Sequence, residues 1–267
     1  MGINRISLGL QSANDEELKN IGRIHSYSQF LDSYQLARKV GFNNINIDLM
    51  SALPGQNIDT YKETLEKIVA LNPEHISAYS LIVEEGTPMF NRVKEDESIL
   101  PNEDTERDMY YLTEELLKKA GYKRYEISNY SKEGFQCKHN IGYWKRKNYF
   151  GFGIGAASLV ENKRYTNIRD IEKYIQFKRL DEIQENIQIL SEEEQMEEFM
   201  FLGLRMMEGI SKTEFEKNFN RNIYEIYKGT ISTLERNGLL LVEGDKIRLT
   251  KQGIDISNMV LSEFLFD

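Results

Sequence analysis

Ile45-Asn46-Ile47-Asp48-Leu49-Met50, carried through Leu53-Pro54-Gly55-Gln56 into residues 58–71, is the stretch on which the fold turns. The first run is short, apolar and β-branched around one carboxylate, the composition of a strand in a largely buried sheet. In the second, Tyr61, Leu65 and Ile68 recur at helical spacing, and the helix must end before Pro73. The same alternation extends outward in both directions. Upstream, residues 6–10 form a strand, and residues 28–40 form a helix carrying Phe30, Tyr34, Ala37 and Val40 on one face, stopped by Gly41. Downstream come a strand at 76–81, a helix at 103–120 that aligns Met109, Leu112, Leu116 and Ala120, and a fourth strand at 125–127. Strand, helix, strand in succession calls for right-handed crossovers and a parallel sheet, so the fold class is α/β. In such sheets ligands gather at the carboxyl ends of the strands.

The chain has 267 residues, 40% hydrophobic and 29% charged, which suits one large domain or a domain with a small appendage. Its longest apolar stretches, such as Leu239-Leu240-Leu241-Val242, are far shorter than the roughly 20 residues of a membrane helix. One cysteine excludes an internal disulfide and, with no export signal at the start, fits a reducing cytoplasm. A net charge of −9 argues against a nucleic-acid partner. Near residue 181 the character changes. Beyond a Glu- and Gln-rich tract, helices are expected near 196–207, 212–219 and 224–237, then strands at 239–243 and 246–249 joined through Gly244-Asp245. This reads as a small α+β, winged-helix-like domain, giving domains 1–180 and 181–267. Residues 191–267 hold nine Lys and Arg against fifteen Asp and Glu, a net charge of −6, whereas phosphate binding needs a basic face. A winged-helix DNA-binding regulator is therefore the weaker reading, and an interaction or lid domain the stronger.

Candidate functional side chains lie in four places. Cys137-Lys138-His139-Asn140-Ile141-Gly142-Tyr143-Trp144 gathers the only cysteine, the only tryptophan and one of three histidines where a polar loop would be expected. Imidazole and thiolate ligate metals and aromatic rings pack on flat macrocycles, but Cys and Trp are also ordinary core residues. Gln11, Asp48 and Glu126 are polar residues at or near strand ends. Asp48 suits either two vicinal ribose hydroxyls or a loop-anchoring role ahead of Pro54-Gly55. Arg23 is either a solvated residue or a clamp for a ligand carboxylate. The run Gly151-Phe152-Gly153-Ile154-Gly155-Ala156-Ala157 lacks the lysine of a phosphate loop, and fits either a backbone close to a flat base or a tight turn.

Asn4 to Ser12, Gly22-Arg23-Ile24-His25, Asn46 to Met50 with Leu53-Pro54-Gly55-Gln56, and Cys137 to Trp144 follow one another as in the radical S-adenosylmethionine proteins of the oxygen-independent coproporphyrinogen oxidase group. His139-Asn140-Ile141-Gly142-Tyr143-Trp144 resembles the HNxxYW signature of that group's heme chaperones, the HemW family. The resemblance implies the C-terminal part of a TIM-like (β/α)6 barrel followed by the winged-helix-like domain. It implies S-adenosylmethionine contacts at Gln11, Arg23, Asp48, Ile82 and Ala157. Heme is implied at His139, with Tyr143 and Trp144 as stacking partners and Cys137 as a weaker candidate for a thioether or second ligand. Heme transfer to an acceptor protein, a homodimer and peripheral contact with a membrane are implied as well. The alternative within the group is a radical enzyme acting on coproporphyrinogen III.

This sequence departs from the family at one place. The CxxxCxxC motif that holds a 4Fe-4S cluster is absent, as is the Gly-Gly segment that holds the methionine part of the cofactor. A single thiolate cannot supply three iron ligands, so no cluster is ligated by this chain and catalysis by it alone is not expected. The expectation is the C-terminal portion of a longer protein, with residues 6–10 as an exposed barrel edge open to aggregation or a partner.

Overall fold

Side chains alternate across a strand, and the run at residues 45–50 therefore sends Ile45, Ile47 and Leu49 to one face and Asn46, Asp48 and Met50 to the other. The computed structural model, which describes residues 2–266, places this run in β2 (Ile45–Ser51). It lies between β1 (Ile6–Gln11) and β3 (His75–Ser80), both parallel to it. The helices of this region are α1 (Asp15–Asn20), α2 (Tyr27–Lys39), α3 (Ile58–Leu71), α4 (Pro88–Glu95) and α5 (Glu103–Lys119). Ile45, Ile47, Leu49 and Ile76 are fully buried in one cluster with Phe30 and Tyr34 of α2, Tyr61, Leu65 and Ile68 of α3, and Met109 and Leu117 of α5. At roughly 1.5–3 kcal/mol for each large apolar side chain, the three from β2 contribute about 5–9 kcal/mol before chain entropy is counted. The ends are set locally: Ser26 and Gln29 form a capping box on α2, Asn57 and Thr60 form one on α3, and Asn72 ends α3 in the left-handed conformation.

The expected fourth parallel strand is corrected in detail. β4 (Lys123–Glu126) turns straight back into β5 (Asn129–Ser131), and β5 inserts antiparallel between β3 and β4, giving the order β1-β2-β3-β5-β4. The turn is held by Arg124, whose Nε and Nη2 donate to the Ile127 carbonyl at 3.1 and 2.6 Å, and by the Glu126 carboxylate, which accepts from the Ser128 amide at 2.9 Å. Strands of three or four residues are too short to declare their direction through periodicity. β1 pairs only with β2 among the described residues and is an edge strand.

The chain divides into two compact units between Gln136 and Cys137. The second unit opens with α6 (Lys138–Trp144), a helix where a loop was expected. An antiparallel sheet follows, β6 (Ala157–Val160), β7 (Lys163–Asn167) and β8 (Gln184–Ile189) in that order, with α7 (Ile171–Gln176) between the last two. Thus the Glu- and Gln-rich tract contains a strand, β8, which its polar composition concealed. Then come α8 (Glu192–Gly203), β9 (Ile210–Ser211), α9 (Lys212–Phe219), α10 (Ile223–Arg236), β10 (Leu240–Glu243), β11 (Lys246–Leu249), α11 (Lys251–Asp255) and α12 (Ser257–Ser262). β10, β11 and β9 form a three-stranded antiparallel sheet, and Met196, Met200, Phe215, Ile223, Ile231, Ile247 and Phe264 fill the core beside it. No helix among the described residues is long and apolar enough to cross a membrane.

Candidate functional site

The face of the first sheet opposite the apolar core is polar, and most of the sequence-predicted residues of that unit stand on it or at its carboxyl end. Asp48 is half-buried, in register with Gly9 on β1 and Ser77 on β3. One of its oxygens, Oδ1, accepts from Asn46 Nδ2 at 2.7 Å. Asn46 is itself oriented from below: its Oδ1 accepts from Ser77 Oγ at 3.1 Å and lies 2.5 Å from His75 Nδ1, while His75 Nε2 lies 2.8 Å from the Tyr125 hydroxyl. The two donors to Oδ1, Ser77 and His75, fix the amide so that its NH2 group faces Asp48. Tyr79 projects from the same face. Burial raises its hydroxyl pKa above the usual value, and the charges of Asp48 and Glu126 act in the same direction.

Gln11 ends β1 in the left-handed region, φ 73°, unusual for a residue other than glycine, and is 8% exposed. The next residue anchors it. Ser12 Oγ donates to Glu17 Oε2 at 2.6 Å, and the same oxygen accepts from Gln56 Nε2 at 2.8 Å, so α1 and the Pro54-Gly55 turn are pinned to the end of β1. Glu17 is 3% exposed, and a carboxyl group at that depth needs such hydrogen-bond partners. Arg23 is exposed, in the loop after α1, and its side chain has no hydrogen bond or ion pair within the described residues. Its neighbour His25 lies with Nε2 3.4 Å from the Leu10 carbonyl, which keeps that loop at the end of β1. Ile82 is 78% exposed just past β3. Gln11, the Arg23 loop and Ile82 therefore lie at the carboxyl ends of the parallel strands, and Asp48 stands mid-strand on the polar face of β2.

Ala157 belongs to the second unit, at the start of β6. The glycine turn before it is built from within that unit: Asn167 Nδ2 donates to the carbonyls of Gly151 and Gly153 at 3.0 and 2.8 Å, and the Gly153 amide donates to the Tyr174 hydroxyl at 2.7 Å. A Cβ at Gly151 would meet the Ala157 carbonyl at 2.2 Å. Gly151→Ala should therefore push Ala157 aside and destabilise this turn by about 2 kcal/mol, read as a lower urea midpoint and faster amide exchange at Ala157, Ser158 and Asn167.

α6 splits the aromatic motif by geometry. His139 and Tyr143, four residues apart, share one exposed face with ring centroids 4.7 Å apart in an edge arrangement, and Tyr149 meets Tyr143 in the same way at 4.7 Å. The His139 ring nitrogens have no hydrogen-bond partner among the described residues. Trp144 is turned off this face. It is half-buried under the Arg205 guanidinium, 4.7 Å from the ring centroid, a contact that anchors the end of α6. Cys137 is buried at the start of α6. Sequence reasoning missed Tyr149, which lies outside the motif and joins it only through the fold. It also missed the His75–Asn46 support of Asp48, whose signal was two further polar residues on buried strands. No group of three or more His, Cys, Asp or Glu side chains able to hold a metal ion exists among the described residues, and one buried thiol does not fit a 4Fe-4S cluster.

Comparison with known proteins agrees with this layout. Residues 1–68 match the model of the radical SAM superfamily, and residues 190–256 that of the HemN C-terminal domain. The solved structure of Escherichia coli coproporphyrinogen III oxidase (HemN), a radical SAM enzyme, superimposes with a TM-score of 0.79 at 18% identity, covering 98% of this chain and 64% of that one, which shows the fold. The heme chaperone HemW of Lactococcus lactis is 39% identical over 99% of this chain and 70% of its own length, and that of Bacillus subtilis is 36% identical with the same coverage. The Escherichia coli heme chaperone HemW is 32% identical over 99% of this chain and 69% of its own. With a radical SAM α/β fold, a HemN-type C-terminal domain and identity of this extent along nearly all its length, the chain belongs to the HemW heme chaperone family.

Proposed function

We propose that this chain binds heme at His139 and passes it to an acceptor protein, and that the carboxyl end of the first sheet holds S-adenosylmethionine. The His139–Tyr143–Tyr149 cluster carries the heme reading, because it offers an imidazole with no hydrogen-bond partner among the described residues beside the Tyr143 ring on an exposed helix face and the half-buried Tyr149 ring from the segment after it. Heme, when bound, would supply an iron that accepts a nitrogen ligand. His139 would provide that nitrogen, and the two tyrosines would offer their rings to the macrocycle while leaving the face open for hand-over. Asp48, Gln11, Arg23 and Ile82 would bind the nucleoside cofactor. Asp48 suits this because Asn46 holds one carboxylate oxygen and leaves the other for a ligand hydroxyl. The donor set of this chain does not fit the iron–sulfur cluster, and no step is routed through it. We take residues 181–267 as a functional module that supports the heme helix. Hemin titration tests the proposal: His139→Ala should abolish the Soret shift seen with the unchanged chain, and a variant that retained it would remove the reading.

A further inference from the structure

We propose that Glu198, in the HemN-type domain, is the positioning residue of the heme helix, an inference that rests on heme binding at His139. α6 has only seven residues, contains Gly142, and starts at Cys137 with no side-chain capping bond. A helix this short does not hold itself in water. Its direction must come from contacts at its other end, where three consecutive residues meet the segment 198–208. Trp144 lies under Arg205, Lys145 pairs with Glu208 at 2.8 Å, and Arg146 Nε pairs with Glu198 Oε2 at 2.7 Å. The Lys145–Glu208 pair is exposed and screened by solvent, and so fixes little. Glu198 is different. It is 5% exposed, and its second oxygen accepts from Arg164 Nη2 of β7 at 2.6 Å, so one buried carboxylate joins the end of α6 to the sheet beside it.

The backbone gives an independent reason to single out this contact. The Lys147 amide bonds to the Gly142 carbonyl and the Arg146 amide to the Tyr143 carbonyl, both at 2.9 Å, closing α6 in the pattern whose penultimate position is normally glycine. Here that position is Arg146, at φ 50°. A side chain with a Cβ is disfavoured there, and the guanidinium it carries makes two bonds, Nε to Glu198 and Nη2 to Asn162 Oδ1 at 2.9 Å. Arginine thus stands at a glycine position because it takes hold of Glu198. Removing the carboxylate would leave Arg146 and Arg164 facing one another, and the half-buried Arg146 without its counter-ion, which releases the end of the helix on which His139 and Tyr143 stand.

The test is hemin titration of the full chain carrying Glu198→Gln, with the Soret position and the spin state of the ferric complex as readouts alongside affinity. Glu198→Gln should bind hemin measurably more weakly than the unchanged chain, with a changed spin-state signature, because the helix end that directs His139 is released. Arg164→Gln, which leaves Glu198 its bond to Arg146, should show a smaller loss. Ile231→Ala, a fully buried core change on α10, serves as the structural control and should lower the urea midpoint without moving affinity or spectrum. Wild-type hemin binding by Glu198→Gln, or an equal loss in Ile231→Ala while it remains folded, would overturn the proposal. Persistence of heme binding in His139→Ala would instead remove the heme reading itself, so the two failures are distinguishable.

Discussion

Lowering the pH from 7 to 5 should cost the first unit about 2 kcal/mol of unfolding free energy through His75 alone. His75 is fully buried, with Nδ1 against the Asn46 carbonyl oxygen and Nε2 against the Tyr125 hydroxyl. The ring is neutral in this arrangement, Nδ1 donating and Nε2 accepting. Burial, assisted by the nearby charge of Arg5, pushes its pKa down to about 3. In the unfolded chain the imidazole titrates near 6.5, so below that pH the unfolded state takes up a proton that the folded state refuses. The contribution is intact above about pH 6.5 and is lost as pH falls toward 3, at up to about 1.4 kcal/mol per unit. Amide exchange of β2 and β3 reads this unit directly; fluorescence of Trp144, the only tryptophan, reports the other. His75→Gln should flatten the wild-type decline between pH 6.5 and 5, whatever the acidic side chains contribute to both curves. An undiminished decline in His75→Gln would show that another group is responsible.

Gly209→Ala should destabilise the HemN-type domain by about 3 kcal/mol, a sum of backbone strain and overpacking. Gly209 has φ 65°, and a Cβ there would lie 2.0 Å from the Ile247 carbonyl and 2.8 Å from the Arg248 Cα. Both atoms are backbone of β11, whose pairing with β9 places Ile247 opposite Ile210. The clash can be relieved only by parting the two strands, because no flexible side chain is available to yield. Gly229 provides the opposite case: it lies inside α10 with open space where its Cβ would be, so Gly229→Ala should stabilise the domain by up to about 1 kcal/mol. Urea unfolding followed by Trp144 fluorescence measures both, and midpoints moving in the same direction would contradict this account.

Much of the first unit is legible along the chain because its core is written in periodic apolar residues. Tyr61, Leu65 and Ile68 announce α3, and Ile45, Ile47 and Leu49 announce β2, since the side-chain period of each element is set by local backbone geometry. The turn at residues 127–128 escapes this logic, being fixed by the guanidinium of Arg124 and the carboxylate of Glu126. β8 escapes it too: most of its side chains are exposed, so no alternation marks it.

The residues of the candidate sites are likewise visible one by one, as polar groups on apolar strands and rare side chains in one octapeptide. By itself the sequence determined the strand and helix alternation, the acidic character of the C-terminal domain and the family likeness, because each rests on residue type and short spacing. Tertiary structure alone decided which side chains act together. Trp144 belongs to the heme-like motif by spacing, yet the end of α6 turns it under Arg205, while Tyr149 joins His139 from outside the motif. Glu198 reaches Arg146 across a sequence separation of 52, and Asp48 depends on His75 through Asn46. Such contacts follow from where packed elements bring their surfaces, and a burial-driven packing has no counterpart in local sequence spacing.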